Sequence, residues 1–123
     1  MVDVMLLEKY TLASNIRRER YRLISGITAL NLIQEGKFED AEGYRQVFIE
    51  YKNIPIEELV QNLSFGFLPN SVNFRQLTEV ASKLHEIADF LSEDLILIKS
   101  SDNIEKYPKV LVGLLNDLSP ASR

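Results

Sequence analysis

The chain contains no cysteine. That excludes disulfides, thiolate nucleophiles and cysteine-based metal sites, and it suits a reducing cytosolic setting. Histidine is nearly absent as well: His85 is the single one, so nothing can complete a metal site built on imidazole and thiolate ligands. Long apolar runs are also missing. The apolar patch in Met1–Tyr10, MVDVMLLEKY, is bracketed by Asp3 and Glu8 and has no basic segment ahead of it, which is too short for a signal peptide or a membrane span. The longest later run, Leu95–Ile98, falls far below the roughly 20 residues that a span needs. A soluble, cytoplasmic chain without a membrane partner is expected. No Gly-rich phosphate loop, nucleophile elbow or calcium-loop pattern occurs, so the expectation is a non-enzymatic protein with no cofactor and no evident small-molecule substrate.

What is present is ordinary globular composition. The 123 residues are 46% hydrophobic and 26% charged, enough for one domain with a modest core. The expected boundaries are one helical domain over 1–118 and a frayed tail over 119–123. The net charge of −4 sets the chain as a whole against nucleic acid and anionic membrane.

The clearest element is Asn73–Leu91. Leu77, Val80, Leu84, Ile87 and Leu91 recur three and four apart, which lines one seam of a helix that Ala81 and Ala88 widen. Asn73 with Gln76 fits a capping box. Such a seam must be covered by this chain or by a second copy. Upstream, about Asp3 to Glu35 reads as helix without a proline, with Leu23, Ile24, Ile27 and Leu30 as its later face and Gly36 just past its end. Phe38–Lys52 resumes helical spacing through Ala41, Tyr44, Phe48 and Tyr51, which predicts an antiparallel hairpin. Pro55 opens a short helix faced by Ile56, Leu59, Val60 and Leu63. The segment FGFLPN, Phe65–Asn70, is a loop carrying Phe65 and Phe67, either folded under the domain or a contact surface. Leu95–Lys99 is taken as helix, continuous with the preceding one or separated from it near Ser92 by a break that leaves a short buried segment. Ser100–Asn103 is read as a loop, and Pro108 as the start of a last helix faced by Val110, Leu111, Leu114, Leu115 and Leu118. The expected fold is an all-α bundle of four to six helices, built on the hairpin and the one long amphipathic helix.

Three clusters bear on chemistry. His85-Glu86-x-x-Asp89 has a zinc-peptidase outline, but Asp89 stands where the second histidine belongs. Glu86, Asp89, Glu93 and Asp94 form an acidic run, and such runs are most often solvated faces. Arg17, Arg18, Arg20 and Arg22, with Tyr21 among them, could contact phosphate and stack on a base. They are spread around a helix, which favours pairing with acidic surfaces, and a small nucleic-acid-binding regulator stands as the alternative reading. The seam Leu77, Val80, Leu84, Ile87 and Leu91, with Phe65 and Phe67, supplies the candidate protein-interaction residues. The partner expected is a second copy or another protein.

Residues 17–49, RRERYRLISGITALNLIQEGKFEDAEGYRQVFI, resemble the helical hairpins of small tailed-bacteriophage proteins. The likeness lies in an arginine-rich first helix, a leucine-spaced stripe, a short glycine turn and a following YR. It implies a virion or assembly component acting by protein contacts, in the host cytoplasm or the particle.

Overall fold

The computed structural model describes residues 4–64 and 74–118. Among them lie six helices: α1 Val4–Gln34, α2 Phe38–Ile49, α3 Ile56–Ser64, α4 Phe74–Leu91, α5 Leu95–Ser100 and α6 Asn103–Asp117. A 3₁₀ turn, Glu50–Asn53, joins α2 to α3. The fold is a small all-α bundle. The loop residues Phe65 and Phe67, the cap residue Asn73 and the tail 119–123 lie outside the described residues.

The hairpin is present, and its turn has an identifiable cause. Gly36 takes φ 79°, a left-handed conformation that costs glycine nothing. The Lys37 N–H donates to the Leu32 carbonyl at 2.8 Å and the Gly36 N–H to Ile33 at 3.0 Å, the paired bonds of a Schellman C-cap. Helix α1 is therefore stopped cleanly and α2 folds back along it. Both α2 and α6 pack extensively on α1. A side-chain carbon at Gly26 would sit 2.5 Å from Phe48 of α2 and 3.0 Å from Leu111 of α6, so this glycine is where three helices approach closely.

Because α1 has a partner on either side, its buried arc centres on Leu23, Ala29, Leu30 and Ile33. That arc is turned away from Ile24, which the sequence periodicity places inward and which is 44% exposed. Tyr44 is likewise corrected. It is 42% exposed, while the largely buried Arg45 occupies the inner edge of α2.

Helix α4 packs on α3 and on the 3₁₀ turn, with further contact to α2. Leu77, Leu84, Ile87 and Leu91 are buried in the core cluster, and Val80 packs against it half-buried. The seam is thus consumed by the fold of a single chain. Its assignment as an interaction surface is corrected, since exposing it would open the core.

The chain breaks after α4 at Ser92–Asp94. The Asp94 carboxylate accepts the Ile96 N–H at 2.9 Å, an N-cap that restarts the helix as α5. Only Ile98 of this helix is fully buried, while Ile96 and Leu97 are 67% and 62% exposed. Leu95–Ile98 is helical as expected, yet it is no buried segment. Pro108 does not open α6 but lies inside it. The Ser101 hydroxyl accepts the Asn103 N–H, and the Ile104 and Glu105 N–H groups reach the Ser101 and Asp102 carbonyls. That start, a turn earlier, buries Ile104 and Tyr107. The gain outweighs the loss of the proline N–H from the ladder.

Candidate functional site

The arginine stretch divides in two on folding. Glu19, the acid inside it, is fully buried, and two of the four arginines turn toward it. Arg22 Nη1 lies 3.1 Å and Arg18 Nε 3.3 Å from Glu19 Oε1. From beyond the end of α2 the Tyr51 hydroxyl donates to Glu19 Oε2 at 2.5 Å. The Arg22 guanidinium also stacks over the Tyr51 ring, 5.2 Å from its centre. Burial, then the adjacent Glu19 carboxylate, pushes the Tyr51 phenol well above its usual range, with Arg22 and Arg18 opposing.

Glu19 is the residue that sequence reasoning missed. Its signal was present: Ile16, Glu19, Leu23, Gly26, Leu30 and Ile33 recur at alternating spacings of three and four, and Glu19 is the charged member of that line. A carboxylate at an inward position must have partners, and Arg18, Arg22 and Tyr51 provide them. The nucleic-acid reading loses Arg18 and Arg22 in this way. Arg17 remains exposed, Arg20 half-buried, and Tyr21 57% exposed.

In the second cluster, His85 and Glu86 turn to separate partners. The Ile54 carbonyl can only accept, so His85 Nε2 is the donor in the 2.7 Å bond between them. This ties α4 to the extended residue ahead of Pro55. Glu86 points elsewhere. It accepts the Tyr107 hydroxyl at 2.8 Å and pairs with Lys83 at 2.9 Å, which links α4 to α6. The Lys83 and Tyr107 hydrogen bonds hold the Glu86 carboxyl below its usual range. Burial and the Glu86 bond push Tyr107 up to about 12. Its ring meets Phe90 edge-on, centres 5.1 Å apart. No three histidine, aspartate or glutamate side chains converge as a metal set among the described residues.

The acidic run ends in a groove. Phe38, Glu42 and Arg45 of α2 face Glu93, Asp94, Leu95 and Ile96 at the α4–α5 turn, around a space of about 390 Å³. Its lining combines the apolar Phe38, Leu95 and Ile96 with three carboxylates and the Arg45 guanidinium. Glu42 lies 3.7 Å from Arg45 Nε, near enough for ion pairing but too far for a hydrogen bond, and that Nε has no hydrogen-bond partner among the described residues. Sequence reasoning found Glu93 and Asp94 but could not place Glu42 beside them, because the two segments meet only through α2–α4 packing.

No protein-family model, curated protein or solved structure matches the chain. No helix of the described residues is long and apolar enough to cross a membrane.

Proposed function

We propose that the chain is a non-enzymatic interaction protein that binds other proteins through its helical surface. The supporting observation is the contrast between interior and exterior. Inside, Glu19, Tyr51 and Arg22 answer one another; nearer the surface, Glu86 accepts from Tyr107 and His85 is held by a backbone carbonyl; each of these groups is engaged within the fold. Outside, α5 leaves Ile96 and Leu97 exposed, and Ile96 also lines the groove. Adjacent exposed aliphatics next to a concave surface that mixes apolar and charged side chains mark contact sites. The finer reading, an assembly or structural component of a tailed bacteriophage working in host cytoplasm or virion, rests on the hairpin resemblance over 17–49.

The test is affinity capture with the wild-type chain and the Ile96→Ser/Leu97→Ser variant, alongside light scattering and apolar-dye binding. The reading predicts a partner, a second copy or another protein, retained by wild type and lost by the variant. A strict monomer that binds no dye and retains the same proteins as the variant would overturn it.

A further inference from the structure

We infer that the groove at the α4–α5 turn receives the outer stripe of α1 from a second copy of this chain. This rests on the interaction reading above and names its partner.

Two surfaces on one molecule complement each other. The stripe consists of Arg17, Arg20, Tyr21 and Ile24, which share a helix face by their spacing. Arg18 and Arg22 are spoken for by Glu19, whereas Arg17 and Arg20 enter no ion pair among the described residues. Tyr21 and Ile24 are both substantially exposed. The stripe therefore carries two cations, with two exposed apolar side chains following them along the same face. The groove has the inverse composition. Glu42, Glu93 and Asp94 line it together with the apolar Phe38, Leu95 and Ile96. Its own cation, Arg45, already faces Glu42, which leaves Glu93 to meet an incoming guanidinium. Asp94 remains the cap of α5.

One copy cannot fill its own groove. Glu19 pairs with Tyr51 at the far end of the hairpin, while Phe38 follows directly on the Gly36 turn. Along α1 the distance from Arg20 to the Gly36 turn is about 24 Å at roughly 1.5 Å per residue. Stripe and groove thus meet only between molecules, as two different patches. Guanidinium–carboxylate pairs are the strong and directional kind, and flanking apolar side chains exclude water from them. The contact is smaller than a standard interface of about 800 Å² per partner, so the association is weak and concentration-dependent.

Sedimentation velocity on the full chain tests this, with variants Arg17→Glu/Arg20→Glu and Glu42→Lys/Glu93→Lys. Wild type is expected to sediment faster as concentration rises from about 1 μM to about 1 mM. Raising salt from about 0.05 M to about 0.5 M is expected to weaken the association, because the pairs are screened. Each variant alone is expected to lose at least about tenfold in affinity, roughly one good ion-paired contact. Their equimolar mixture is expected to associate again, since each reversed surface then meets its complement. Circular dichroism checks the fold of each variant. Where a reversal lowers helix content, Tyr21→Ser and Ile96→Ser carry the same comparison through the apolar half of the contact. Association unchanged by either reversal overturns the inference and leaves the interaction reading intact. A wild-type monomer throughout, or a mixture that does not recover, also overturns it. The capture experiment then decides the interaction reading separately.

Discussion

Glu19 shows how one buried charge organises a junction of helices. Its carboxylate accepts from Arg18, Arg22 and Tyr51 together, so each of these side chains depends on it. Glu19→Ala strands the Tyr51 hydroxyl and the Arg22 guanidinium, and is expected to destabilise by about 3–5 kcal/mol. Tyr51→Phe removes one donor while both arginines stay, and is expected to cost about 1–3 kcal/mol. Urea unfolding with unchanged m-values measures both. The two phenols also predict a pH dependence. An unfolded tyrosine ionises at about pH 10, whereas folded Tyr51 and Tyr107 hold their protons to higher pH. The unfolded state then binds fewer protons, so stability is full below about pH 10 and falls as pH rises above it. Tyr51→Phe should flatten that decline in alkaline urea titrations; an equally steep decline would contradict it. Glu86 works at the other limb: held low by Lys83 and Tyr107, it contributes stability that is lost as pH falls through the carboxylate range.

At the scale of elements, glycine positions separate packing from propensity. Alanine is normally worth about 1 kcal/mol over glycine inside a helix. At Gly26 the added carbon meets Phe48 at 2.5 Å and Leu111 at 3.0 Å. Gly26→Ala is therefore expected to destabilise by about 1–3 kcal/mol through overpacking. Gly113 in α6 has nothing within 4 Å, and Gly113→Ala is expected to stabilise by about 0.5–1 kcal/mol. Thermal melts of the two variants should move in opposite directions. Periodicity in the sequence found α1, α2 and α4 because apolar residues three and four apart over several turns line up on a helix and scatter on a strand. It misjudged Ile24 and Tyr44 because a helix wheel does not say where the neighbouring helices stand. It placed the start of α6 at Pro108 because the signal that actually begins the helix, the Ser101 hydroxyl on the Asn103 N–H, is carried by one polar residue among several in Ser100–Asn103.

For the molecule as a whole, the useful division is between apolar side chains the core consumes and those it leaves out. Leu84 is buried at the centre of α4's seam, so Leu84→Ala is expected to cost about 2–5 kcal/mol by cavity formation. Ile96→Ser/Leu97→Ser lies on the surface and is expected to change stability by no more than about 0.5 kcal/mol per site. Denaturation midpoints read the first and partner capture the second, and each variant should be nearly silent in the other assay. A surface variant that unfolds the chain would show that α5 carries the core, contrary to its exposure.

Amino-acid order alone determined the all-helical class, the hairpin with its glycine stop and the seam of α4, since these follow from local periodicity and backbone preference. It also set the net charge of −4. Tertiary structure alone decided what covers each face. It turned the α4 seam inward, drew Arg18 and Arg22 onto Glu19, and brought Glu42 beside Glu93 from distant segments. Those outcomes depend on which helices become neighbours, and that choice is made by the summed burial of all the packed elements rather than by any one of them.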